Sequence, residues 1–214
     1  MCANKINPML LIDFYKAVHA EMLPKGITKS VSYFTSRMSR IKRWDKVVMF
    51  GLQGFIKTYL IDYFNEEFFG RPFDEVIEDY KRIMDNALGS EAYKIEKVEK
   101  LHHLGYLPIE IVALPEGTLV PMHVPMFGIT NTHPEFAWLP QSLESLISAE
   151  SWHPMIAATV GYTYRQIVNE YYDKTCDDNI PRARALGAFD FRGEESVESA
   201  VKAGFGWCLS FLNT

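Results

Sequence analysis

The chain has 214 residues, 48% hydrophobic, 14% aromatic and 23% charged, which is enough apolar surface for a large core and too much for disorder. A net charge of −5 gives no basic field for nucleic acid or an anionic membrane, so an anionic substrate has to be met by local clusters. The three cysteines, Cys2, Cys176 and Cys208, are odd in number and far apart; they form neither a disulfide framework nor a zinc pattern and point to a reducing cytoplasm. The early apolar run at residues 9–12 ends at Asp13, too short for a signal core or a membrane span.

The first cluster along the chain is LIDFYKAVH, where Asp13, Tyr15, Lys16 and His19 set an acid, a phenol and two bases within seven residues. At i, i+3 spacing Asp13 and Lys16 either pair on a helical turn or belong to a site. Residues 28–34 (TKSVSYF) predict a strand, with Val31 and Tyr33 opposed to Ser30, Ser32 and Phe34. A basic loop follows with Arg37, Arg40, Lys42 and Arg43, readable as a solvated face or as an anion contact. Residues 44–69 carry Val48, Leu52, Phe55, Tyr59 and Tyr63 as a helical stripe before Gly70 and Pro72, predicting one long core helix. Residues 74–87 and 90–103 predict two more polar, superficial helices, the first with an acidic cap. Residues 108–114 and 118–129 then alternate, punctuated by Pro115, Gly117, Pro121 and Pro125, as strands and turns of a small β layer. Helices resume over 134–149 and, introduced by Pro154, over 156–172. This shift places a boundary near residue 145, between an α+β domain at 1–145 and the start of an α/β domain at 146–214.

Residues 186–196 read LGAFDFRGEES. Ala188, Asp190 and Arg192 alternate with Phe189 and Phe191, the period of a short strand. Gly193 breaks it, and Glu194 and Glu195 followed by Val197, Val201, Phe205, Cys208 and Leu212 predict an amphipathic helix with acids in its first turn. The stripe reaches Leu212 with no strand after it, as if a parallel α/β unit were begun and not closed. Arg192 at a strand-to-helix junction is either an anion ligand or a solvated loop arginine. No glycine-rich phosphate loop, HExxH, GxSxG or paired CxxC is present, and the six histidines show no metal-ligand spacing.

In order, LIDFYKAVH, SYFTSR, FGLQGFIKTYL, LPIEIVALPEGTLVP, ESWHPMIAAT and FDFRGEESVESA closely resemble the amino-terminal part of the nicotinamide phosphoribosyltransferase family, over essentially the whole chain. The resemblance implies an α/β fold: a β-rich amino-terminal domain with helices, then the first part of an irregular α/β barrel of the type II phosphoribosyltransferase kind, apparently truncated, in a head-to-tail homodimer. It implies attack of the nicotinamide ring nitrogen on carbon one of 5-phosphoribosyl 1-pyrophosphate, giving nicotinamide mononucleotide and pyrophosphate in NAD salvage. Mg²⁺ would accompany the diphosphate, and ATP would be the coupled nucleotide. By the same match Arg192 meets the phosphates as the catalytic cation, and Phe189 stacks on the ring. Tyr15 closes the other ring face from the partner subunit with Asp13 close by, and Arg37 reaches the phosphates across the dimer interface. A gapped match on the DF pair would move the stacking role to Phe191. The family has glycine where Asp190 stands and a His-Asp pair where Gly187 and Ala188 stand. The family's amide-reading aspartate, phosphorylated histidine and ribose-phosphate site fall beyond Thr214. The isolated chain is therefore expected to be inactive, either a truncation or one half of a split enzyme. A nicotinate-using relative and a non-catalytic fragment acting as a dimerisation or regulatory partner are the alternatives.

Overall fold

In a computed structural model, residues 6–177 and 181–212 are described; Cys2 lies outside them. In chain order the elements are α1 (Tyr15–His19), β1 (Val31–Thr35), β2 (Lys46–Val48), α2 (Leu52–Phe55), α3 (Phe73–Leu88), α4 (Glu96–Leu104), β3 (Ile109–Ala113), β4 (Leu119–Pro121), β5 (Pro125–Asn131), α5 (Leu139–Ser142), α6 (Glu144–Thr175) and α7 (Val197–Trp207). They fall into two interleaved compact units. One comprises Met1–Phe34, Gln53–Ala113 and Phe127–Ser148, the other Thr35–Leu52, Leu114–Met126 and Ala149–Thr214.

The alternating segments fold as strands. In the first unit the sheet order is β1-β5-β3, with β3 antiparallel to β5 from Ile109 opposite Asn131 to Ala113 opposite Phe127. Phe127 and Ile129 point into the core, and Phe127 stacks on Phe34 with centroids 4.8 Å apart. The expected superficial helix is α3, and it is anchored along one face by Val76, Ile77, Tyr80 and Met84 at helical spacing. Asp74 is not its cap: Pro72 holds that position with no side-chain cap bond, and Asp74 lies in the first turn, where its charge suits the helix dipole. The next helix begins at Glu96 rather than residue 90, because Gly89 at φ +90° ends α3 and turns fill the interval. Gly105, left-handed at φ +80°, closes α4.

The single helix expected over 44–69 is replaced by three kinds of structure. Lys46–Val48 is a strand paired antiparallel with Leu119–Pro121, which buries Val47 and Val48. The helix starts only after Gly51, whose φ of +89° is strained for any residue with a Cβ; a Cβ there would also lie 2.8 Å from Pro154 Cγ. Beyond Phe55 the turns widen to π type over Ile56–Tyr63 and Asn65–Phe69. There the Phe64 and Gly70 N–H groups donate to carbonyls five residues back, at Tyr59 and Asn65.

In the second unit α6 runs through Pro154 instead of restarting after it. An interior proline removes one helical hydrogen bond, but the neighbouring Ser151, Met155 and Ala158 are completely buried, so packing holds the turn. Val48 N–H donates to Thr159 Oγ1 of this helix at 3.0 Å. The last helix, α7, starts at Val197 with Ser196 as its cap, the Ser196 side chain accepting from Ser199 N–H at 3.1 Å; the acids Glu194 and Glu195 precede it. Ser199, Ala200, Ala203, Gly206 and Trp207 form its buried face. Val197, Val201, Phe205 and Leu212, the stripe seen in the sequence, lie on the exposed side. No described helix is long and apolar enough to cross a membrane.

Candidate active site

In the first unit, Asp13 and Tyr15 sit at the start of α1. The Asp13 carbonyl accepts from Lys16 N–H at 2.8 Å, which winds the first turn. Asp13 and Lys16 do not pair with each other. The Asp13 N–H donates to Ser145 Oγ at 3.0 Å, and the same hydroxyl donates back to Asp13 Oδ2 at 2.5 Å. Buried Lys16 forms an ion pair with the exposed Glu144. Tyr15 stays half exposed, with the Lys16 ammonium 5.2 Å from its ring centroid and His19 meeting it edge-on at 4.9 Å.

In the second unit, residues 186–196 do not form the expected strand. Strand pairing there is limited to one bridge at Gly187, and residues 190–193 form a turn in which Arg192 N–H donates to the Phe189 carbonyl at 2.9 Å. The physical reason is that Phe189 and Phe191, the apolar side of the alternation, are both 70% exposed, so that side has no core to pack on. Gly193 at φ +116° carries the chain towards α7, using the conformational freedom that glycine supplies. The Arg192 guanidinium lies 5.3 Å from the Phe189 ring centroid. Exposure does not separate Phe189 from Phe191, but this contact joins Phe189 to the cation. Asp190 Oδ2 is buried without a hydrogen-bond partner among the described residues.

Glu194 anchors the turn. Its Oε2 accepts from Ser199 Oγ at 2.7 Å, and its Oε1 lies 3.7 Å from His153 Nε2 on α6. Arg37 follows buried Ser36, whose carbonyl accepts from His123 N–H at 2.9 Å, and is itself exposed, as are Arg40, Lys42 and Arg43. The structure thus brings Asp13 together with Tyr15, and Phe189 with Arg192; Arg37 belongs to the same unit as the second pair. The anchoring contacts Ser145–Asp13, Glu144–Lys16 and His153–Glu194 were not legible in the sequence, because each joins residues far apart along the chain. Among the described residues no group of three or more His, Cys, Asp or Glu is arranged to hold a metal ion. A cavity of about 400 Å³ in the first unit, lined by Ile56, Leu60, Ile61, Phe69, Tyr106 and Ile111 among others, includes none of the candidate residues.

Residues 7–111 match the family model described as nicotinamide phosphoribosyltransferase, N-terminal domain. That stretch, just under half of the chain, is similar to the family's amino-terminal domain. Similarity extends beyond the domain: the nicotinamide phosphoribosyltransferase of Acinetobacter baylyi is 41% identical over 216 residues, covering 98% of this chain and 43% of the relative. That of Xanthomonas campestris pv. campestris is 33% identical, covering 97% of this chain and 42% of the relative. The chain therefore spans less than half the length of these curated relatives. The crystal structure of human nicotinic acid phosphoribosyltransferase superposes with a TM-score of 0.64 at 17% identity, over 92% of this chain and 34% of that one. At that identity the likeness is one of fold, a mixed α/β arrangement.

Proposed function

We propose that the chain supplies the amino-terminal part of an enzyme that transfers a phosphoribosyl group from 5-phosphoribosyl 1-pyrophosphate to nicotinamide, in NAD salvage. The observation that carries this reading is the turn at residues 189–193, where a guanidinium and an exposed aromatic ring are held 5.3 Å apart just ahead of α7. A flat neutral ring stacking on Phe189 and a pyrophosphate meeting Arg192 would be neighbours there. As the bond to pyrophosphate breaks, negative charge grows on the leaving oxygens, and a fixed cation stabilises that charge more than it stabilises the ground state. Tyr15, with Asp13 beside it, would close the other ring face from a partner subunit, leaving the ring between two aromatic planes; Arg37 would add a second cation to the phosphates. Mg²⁺ enters with the diphosphate, and ATP is the coupled nucleotide. The wider proposal is a cytoplasmic homodimer in which residues 1–145 contribute to the subunit interface and 146–214 begin an irregular α/β barrel.

The test is a chimera in which these 214 residues replace the matching 43% of the Acinetobacter baylyi relative. With nicotinamide, 5-phosphoribosyl 1-pyrophosphate, Mg²⁺ and ATP, the chimera is expected to form the mononucleotide, and the 214 residues alone are expected not to. A folded chimera without turnover, or one that uses nicotinate in preference to nicotinamide, would overturn the proposal.

A further inference from the structure

We infer that Ser145 is a positioning residue that sets the direction of the Tyr15 ring, with the Lys16–Glu144 ion pair as the second point of the same clamp. The inference rests on the reading of Tyr15 as a ring-stacking residue. Two points three residues apart, Asp13 just ahead of α1 and Lys16 in its first turn, are tied to two consecutive residues at the start of α6, Ser145 and Glu144. One tie alone would fix a single point of a five-residue helix, whereas two restrict its rotation and hence the direction of the residues between them. Of these two residues, Tyr15 is the one next to Lys16.

The clamp also decides which face of the ring is available. Lys16 is 5% exposed and held by Glu144, so its ammonium stays over one face of Tyr15 at 5.2 Å. His19 takes the ring edge at 4.9 Å and 62°. With Tyr15 still half exposed, the uncovered face is left for a flat ligand. Ser145 suits the task because its single hydroxyl both accepts from the Asp13 backbone and donates to the Asp13 carboxylate, fixing main chain and side chain together. Glu144 and Ser145 therefore act on the ring without touching it.

The chimera described above provides the test, with Tyr15→Ala, Ser145→Ala and the shape-matched pair Ser145→Thr and Ser145→Val. Tyr15→Ala should raise the KM for nicotinamide. Ser145→Ala and Ser145→Val should raise it roughly three- to tenfold, the scale of one lost hydrogen bond, with the KM for 5-phosphoribosyl 1-pyrophosphate unchanged; Ser145→Thr, which keeps the hydroxyl, should restore it. If Tyr15→Ala raises the nicotinamide KM and the hydroxyl-free variants do not, the clamp is overturned while the function stands. Equal loss for both substrates with a lower Tm would make Ser145 a structural residue and would overturn it too. No effect of Tyr15→Ala on nicotinamide would overturn both the clamp and the assignment of Tyr15. Should Ser145→Ala fail to fold, the Thr and Val variants carry the comparison.

Discussion

At Arg192 two weak demands meet one strong one. Its contact with the exposed Phe189 ring is a surface cation–π interaction, about 0.5–1 kcal/mol, and the turn's closing hydrogen bond uses only its backbone N–H. A charge-assisted bond to phosphate contributes about 1.5–3 kcal/mol, so on the proposed function the guanidinium would exchange the ring for a phosphate at little cost. In the chimera Arg192→Ala is expected to lower kcat/KM by about one to two powers of ten. Phe189→Ala should raise the KM for nicotinamide more than that for the phosphoribosyl donor, and Phe191→Ala should leave both near their starting values. Because both rings are exposed, neither substitution should shift the Tm much. Steady-state kinetics with each substrate varied in turn decides the matter. A nicotinamide effect at Phe191 without one at Phe189 would move the stacking role two residues along.

Among the elements, α7 separates the pattern a helix shows in sequence from the face it buries. Val197, Val201 and Phe205 are large apolar side chains on its exposed side, and the buried face is made of the small residues Ser199, Ala200, Ala203 and Gly206 with Trp207 at its end, because the backbones of α7 and α6 approach closely at Gly206. A Cβ on Gly206 would stand 2.8 Å from both Pro154 O and Ala158 N, backbone atoms that no rotamer change can remove. Gly206→Ala is expected to cost about 1–3 kcal/mol in overpacking against about 1 kcal/mol gained in helix propensity, a net loss. Phe205→Ser on the exposed face should stay within about 0.5 kcal/mol. Thermal melts of the two variants in the same buffer check the order, and a reversal would mean that the large stripe is the buried one. The same contrast explains what the sequence could and could not convey. The strands β1, β3 and β5 and the helix α3 declare themselves through local periodicity. Lys46–Val48 becomes a strand only because Leu119–Pro121 pairs with it, and Pro154 stays inside α6 only because its surroundings are buried. Phe189 and Phe191 alternate with their neighbours but have no core on their own side to fold against. At the site, Asp13, Tyr15, Arg37, Phe189 and Arg192 stood out through family resemblance; their anchors carried no local signature, Ser145 meeting Asp13 across 132 positions.

For the molecule as a whole, stability against pH turns on which groups hold protons differently when folded. Glu135 and Glu170 are drawn below the usual carboxylate range by hydrogen bonds and charge from Lys100 and Lys174, an effect that favours the folded state above the ordinary carboxylate pKa and is lost in acid. Both side chains are exposed, so solvent screening leaves that contribution small. The alkaline side differs. Burial pushes the Tyr80 phenol far above its ordinary value. Burial, followed by the hydrogen bond to Asp85 at 2.7 Å, does the same for Tyr93, and the two rings meet edge-on at 5.8 Å. Below the unfolded tyrosine pKa of about 10 both states hold these protons and the contribution is complete. Above it the unfolded chain releases protons that the folded one keeps, so stability falls as pH rises. Urea melts between pH 7 and 11 are expected to show a plateau up to about pH 10 and a decline beyond it. Tyr80→Phe keeps the buried ring and removes the ionisable hydroxyl, so its decline should be shallower while its stability at pH 7 stays close to that of the parent. An unchanged alkaline slope in Tyr80→Phe would show that this phenol does not govern the alkaline limit, and a flat profile to pH 11 would show that neither tyrosine stays protonated through its burial.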